Sequence, residues 1–312
     1  MTTEKYGKVI KGLGGLYETR VKDGDTVEIY TCRAKGNLKR DEEKLLIGDN
    51  VRISVDPDTA GGVVISEILP RKNALIRPPM ANLDYLFIAF AAAKPAPVLE
   101  TVDKLIAIAE HNGISPAVII TKSDIDTDEA DRLHSIYKLA GIPSFVTSSD
   151  NGEGVAELSD YIHSVLRDGA TAAFAGASGV GKSTLMNSLF PEFSLQTAEI
   201  SRKIERGRHT TRHVELFSIG EGEAAGFLAD TPGFSLIDFA RFDFFTLEAL
   251  LPAFRDLTAF VGKCRYADCA HVGEGSADCA VARAAEEGRI AITRLDSYRS
   301  IYKILKEKNQ YK

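Results

Sequence analysis

The chain has 312 residues, 44% hydrophobic and 26% charged, which is enough for two or three cores of ordinary globular composition. A formal net charge of −6 excludes a uniformly basic nucleic-acid binder. The start, "MTTEKYGKVI", has no apolar signal region, and the longest apolar run, Tyr85 to Ala93, is too short to span a bilayer, so no membrane association and a cytoplasmic location are expected.

Residues 1–70 read as short strands broken by glycine: "GKVIKG", "GGLYETR", "DTVEIYTCRA", "DNVRISVD" and "GGVVISEIL". Alternation with frequent turns predicts a small barrel. From about residue 71 apolar runs alternate with amphipathic helical runs, from "DYLFIAF" and "VLETVDKLIAIAEHNG" to "TAAFAGASG" and "GKSTLMNSLF". That order predicts a parallel sheet with helices on both faces, completed by "VELFSI" and "AAGFLADTPG" near residue 242. Residues 243–312 read as helical, with "FFTLEALLPAFRDL" first, a cysteine cluster next and a basic amphipathic helix last.

Basic residues concentrate locally despite the acidic total. Residues 289–312 hold seven Lys or Arg against two acids, and residues 200–214 hold five against one. Such clusters grip phosphates locally, although most are solvated faces.

"GASGVGKST" (Gly176, Ala177, Ser178, Gly179, Val180, Gly181, Lys182, Ser183, Thr184) fits the phosphate-loop pattern between a predicted strand and a predicted helix. Its glycines let backbone amides wrap a phosphate, and the helix N-terminus adds positive potential. Lys182 is the expected partner of the β/γ-phosphates and Ser183 of Mg²⁺. In "LADTPG", Asp230 ends an apolar strand where an acid holds the Mg²⁺ shell, and Gly233 brings an amide to the γ-phosphate.

"TKSD" (Thr121, Lys122, Ser123, Asp124) points to guanine. A carboxylate there accepts from N1–H and N2–H₂, whereas adenine leaves it unpaired. The Lys122 stem is expected along the base plane, and "TSS" (Thr147, Ser148, Ser149) is expected to offer amides to O6. The alternative is that "TKSD" merely caps a helix. Base readers here precede the phosphate loop, the reverse of a conventional small GTPase, so the sequence predicts a circularly permuted GTPase domain.

Cys264, Cys269, His271 and Cys279 form C-x₄-C-x-H-x₇-C, a closed set for one structural Zn²⁺. Cys32 stands apart and is expected to pack in the barrel.

With "GGLYETR", "ALIRPPMANLDYLFI", "TKSD", "GASGVGKST", "GRHTTRH", "ADTPGF" and "CRYADCAH" in this order, the chain resembles the ribosome small subunit-dependent GTPase A family (RsgA/YjeQ) over nearly its full length. The resemblance implies an α/β protein: an OB-fold RNA-binding barrel (1–70), a circularly permuted P-loop GTPase domain (71–242) and a helical zinc-binding domain with a basic tail (243–312). It implies GTP/GDP, Mg²⁺ and Zn²⁺ as ligands, the small ribosomal subunit and 16S rRNA as partners, and a monomer. Two departures stand out: H-x₇-C where the family runs H-x₅-C, and Thr121 where it favours asparagine.

"ERGRHTTRH" lies where switch I belongs, and either Thr210 or Thr211 meets Mg²⁺ when a γ-phosphate is present. Phe234 stands where a water-orienting glutamine is usual, so another group must act. His209 is the candidate, to which the resemblance also points; the alternative is that it contacts phosphate or RNA. The competing functional readings are an RNA-binding module clamped by GTP with incidental hydrolysis, and a P-loop ATPase or metal-delivery GTPase. His209→Ala is expected to keep GTP binding and lose most hydrolysis; phosphate release equal to wild type in single-turnover assays would remove His209 from the mechanism.

Overall fold

The computed structural model describes residues 3–24, 26–35, 44–56, 62–191, 214–220, 225–230, 239 and 241–310. The first five strands are β1 (Thr3–Leu13), β2 (Leu16–Asp23), β3 (Thr26–Ala34), β4 (Asn50–Val55) and β5 (Val63–Ile68), followed by the two-residue strands β6 (Ala74–Leu75) and β7 (Met80–Ala81). Then come β8 (Tyr85–Ala91), α1 (Leu99–His111), β9 (Ser115–Thr121), α2 (Thr127–Leu139), β10 (Ser144–Val146), α3 (Val155–Val165), β11 (Thr171–Gly176) and α4 (Lys182–Leu189). β12 (Glu215–Ile219), β13 (Gly226–Asp230), α5 (Arg255–Thr258), α6 (Ala280–Glu286) and α7 (Ile292–Gln310) end the chain. Two compact units divide it: Met1–Tyr85, Ser159–Ala175 and Ser194–Gly233 form the first, and Leu86–Leu158, Gly176–Phe193 and Phe234–Lys312 the second.

In the first unit β1 pairs with β2, β2 with β3, β3 in parallel with β5, β5 with β4, and β4 back with β1. This closed order is that of an OB-type barrel. Every second residue points inward, so Val9, Val21, Cys32, Val51, Ile53 and Ile65 fill a dry interior. Cys32 packs there as expected. The same unit holds β11 parallel to β13 and β13 antiparallel to β12, and β12 pairs with β1 at Lys11. The sheet strands and the barrel therefore share β1.

In the second unit β9 is parallel to β10, and β8 lies beside β9. Leu86 to Ala91 and Ala117 to Ile120 are buried without a break, the pattern of parallel strands covered on both faces.

The expected helix over "FFTLEALLPAFRDL" is corrected. Among the described residues only Arg255–Thr258 is helical there. The preceding stretch is a run of tight turns whose amides reach back three residues, as Ala249 does to Thr246 and Phe254 to Leu251. Pro252 supplies no amide and disfavours helical backbone in the residue before it, so an α-helical ladder does not propagate.

The basic C-terminal helix is also more internal than its composition suggests. Arg294 is fully buried and binds Asp103 of α1 at 2.8 Å and both oxygens of Asp256 at 2.8 and 3.1 Å, stacked on the Phe254 ring. Burial pushes the Asp103 carboxyl above its usual range, against the pull of the guanidinium. Lys308 donates to the carbonyls of Phe239 and Phe242. Arg294→Met is expected to leave two buried carboxylates without a cation and to cost about 3–5 kcal/mol of stability; urea unfolding would measure it, and a loss under about 1 kcal/mol would contradict this account of the core.

Candidate active site

The phosphate loop opens where β11 ends. Gly176 admits no side chain, because a Cβ there would lie 2.4 Å from the Ala89 carbonyl oxygen. Gly181 caps α4 in the left-handed region (φ 92°), which glycine adopts without strain, and α4 starts at Lys182. Ala177, Ser178 and Gly179 are exposed, Val180 is buried, and Ser183 and Thr184 are exposed on the first turn of α4. The arrangement is a strand, an open glycine-rich loop and a helix N-terminus, whose first-turn amides lack intrahelical acceptors and so favour an anion.

The "TKSD" loop is fastened onto this phosphate loop. Thr121 Oγ1 donates to the Val180 carbonyl, and Lys122 Nζ donates to the Gly179 carbonyl at 2.9 Å and to that of Lys94. The ammonium is thus a clamp between loops, a role that its expected place along a base plane does not include. Lys122 turns the chain through the left-handed region (φ 60°). The Ser123 amide then donates to the Thr147 carbonyl, tying the end of β9 to the end of β10.

Asp124 is exposed, and the N-cap of α2 is Asp126, whose carboxylate accepts from the Glu129 amide at 3.0 Å. The capping alternative for "TKSD" therefore falls to a different residue. Of the three residues after β10, Thr147 donates its amide to Ile120 and Ser148 to Glu153.

Asp230 closes β13, opposite Phe174 of β11. His209, Thr210, Thr211 and Gly233 lie outside the described residues.

The four metal-ligand candidates converge in the second unit. Their ligand atoms all lie within 4.8 Å of one another. The three Sγ atoms stand 3.5, 3.4 and 3.5 Å from His271 Nδ1. A tetrahedral ion with Zn–S of about 2.3 Å and Zn–N of about 2.0–2.1 Å places S and N roughly 3.6 Å apart, so the set fits zinc and fills all four positions. Backbone amides support the sulfurs: Ala280 donates to Cys264 Sγ and Ala282 to Cys279 Sγ. From α7, the Tyr298 hydroxyl donates to the Ala270 carbonyl and Arg299 Nε to that of His271. Tyr298 is buried edge-on against Phe254, a packing residue.

A glycine-rich strand–loop–helix, clamped by an acid-bearing loop that comes earlier in the chain, defines a circularly permuted P-loop GTPase. Known proteins agree. The family model described as RsgA GTPase matches residues 68–240, and that described as RsgA N-terminal domain matches residues 6–63. The chain is 38% identical over 307 residues to the small ribosomal subunit biogenesis GTPase RsgA of Alkaliphilus metalliredigens, covering 98% of this chain and 99% of that one. The crystal structure of YloQ, a circularly permuted GTPase, aligns with a TM-score of 0.75 at 31% identity, covering 98% and 96% of the two chains. That of YjeQ from Thermotoga maritima aligns with a TM-score of 0.76 at 28% identity, covering 97% and 99%. The chain belongs to the RsgA GTPase family, and its nucleotides are GTP and GDP.

Among the described residues, no helix is long and apolar enough to cross a membrane. Zinc removal by a chelator is expected to lower the melting temperature, and Cys269→Ala to purify with less than one zinc per chain; full zinc content in that variant, read by metal analysis, would exclude Cys269 as a ligand.

Proposed function

We propose that this protein hydrolyses GTP in the service of small ribosomal subunit maturation, contacting 16S rRNA through its barrel (1–70) and its zinc-bearing domain (243–312), with the GTPase domain (71–242) between them in sequence. The observation that carries the reading is the clamp of Thr121 and Lys122 on the carbonyls of Val180 and Gly179. It ties the base-side loop to the phosphate-side loop, as a single bound nucleotide requires. The names of the relatives support the subunit as partner.

In this reading Asp124 accepts from guanine N1–H and N2–H₂ and Ser149 offers the amide for O6, since those of Thr147 and Ser148 are spent within the protein. Lys182 and the amides from Gly176 to Thr184 hold the phosphates. A hydroxyl at Ser183 and a carboxylate at Asp230 are hard oxygen donors, the chemistry that Mg²⁺ selects. When bound, Mg²⁺ neutralises charge developing on the β/γ-phosphate oxygens. His209 orients or deprotonates the attacking water in place of the glutamine that Phe234 replaces, and one hydroxyl or carbonyl of Thr210 or Thr211 senses the γ-phosphate. The protein acts as a monomer in the cytoplasm, where its partner is assembled.

A site without the glutamine is slow until a partner orders it, and partners raise GTPase rates by about 10³–10⁵-fold. Turnover of GTP is therefore expected to rise on adding purified small subunits, with ATP left unhydrolysed. Asp124→Asn, whose amide matches the xanthine edge, is expected to exchange GTP for XTP as substrate. Subunit-independent turnover would leave the GTP-clamp reading in place, and equal use of ATP would overturn the guanine assignment.

A further inference from the structure

One line of register crosses the first unit from barrel to sheet. Lys11 of β1 stands opposite Glu215 of β12, Glu215 opposite Asp230 of β13, and Asp230 opposite Phe174 of β11. Lys11 Nζ donates to Glu215 Oε1 at 3.0 Å, and this bond holds the ammonium above its ordinary pKa. β1 reaches β12 through an irregularity. It pairs with β4 from Thr3 to Lys8, its register against β2 shifts between Val9 and Lys11, and it meets β12 at Lys11. A bulge of this kind bends a strand and re-aims the residues beyond it.

We propose that Lys11 and Glu215 are positioning residues for Asp230, fixing from the barrel side where β13 ends. The inference rests on the magnesium role proposed for Asp230. Two physical facts support it. Side chains alternate with a period of two, so a one-residue slip of β12 would turn the other face of that strand toward its neighbours. Acids at opposite register positions disfavour pairing; Glu215 holds the register position opposite Asp230, and Lys11, which stands between Glu18 of β2 and Glu215, supplies the cation that binds Glu215. Lys11 and Glu215 are 37% and 29% exposed. A pair so exposed adds little to global stability, so its contribution is local register and can be tested without unfolding the chain.

The test compares Lys11→Met with the conservative Lys11→Arg in the full chain. Hydrogen exchange at β12 and β13 amides, without nucleotide or metal, is the first readout. The Mg²⁺ concentration for half-maximal GTP hydrolysis is the second. Both variants are expected to melt close to wild type. Lys11→Met should lose amide protection and require more Mg²⁺, by up to about 5-fold, the ceiling for an exposed ion pair; Lys11→Arg, which keeps the cation, should preserve both. Unchanged exchange in β13 for Lys11→Met, or the same loss in Lys11→Arg, would overturn the proposal. Asp230→Asn, run alongside, separates the two levels: if it leaves the Mg²⁺ dependence intact, the magnesium reading of Asp230 fails, while the exchange data still decide whether the pair positions the strand.

Discussion

The nucleotide site depends on the bond between two loops far apart in sequence. Lys122 Nζ reaches the carbonyl of Gly179, 57 residues downstream, and Thr121 reaches that of Val180. A phosphate loop turns its amides toward the ligand, so its carbonyls point away and need donors. Thr121 and Lys122 supply them from the strand end that also carries Asp124. In the function proposed above, base recognition and phosphate binding are parts of one hydrogen-bonded assembly, and reordering the chain leaves that assembly unaltered. Circular permutation is tolerated because contacts, and not sequence order, define the site.

Much of this is legible in the sequence. The barrel strands, the alternation of strands and helices, the phosphate loop and the four zinc ligands all arise from local patterns: period, glycine placement and spacing. The illegible part is non-local. Nothing in residues 99–111 marks Asp103 as the partner of Arg294, 191 positions later. An aspartate on an amphipathic helix reads as solvated, and a basic tail reads as a phosphate grip, yet here the two meet in a dry core. The Lys122 clamp is hidden for the same reason. Around Pro252 the apolar spacing is helical, but the proline outweighs it and the chain forms turns. His209, Thr210, Thr211 and Gly233 rest on sequence and family alone.

The zinc centre and the C-terminal helix support each other. The cysteine cluster is too small to hold a core, and one ion held by its four ligand atoms would replace the apolar area it lacks. The α7 helix braces the backbone carbonyls of Ala270 and His271 with Tyr298 and Arg299. The same helix carries Arg294 against α1 and Lys308 against the carbonyls of Phe239 and Phe242.

The Arg294–Asp103 contact also constrains how the polypeptide matures during its own synthesis. Translation proceeds from the N-terminus, so α1 emerges long before the guanidinium that neutralises its acid has been made. Until then Asp103 either stays in water or enters the interior as the protonated acid. The charged contact between α1 and α7 is therefore one of the last the chain can make, whereas the strand pairings of the barrel lie within residues 3–68.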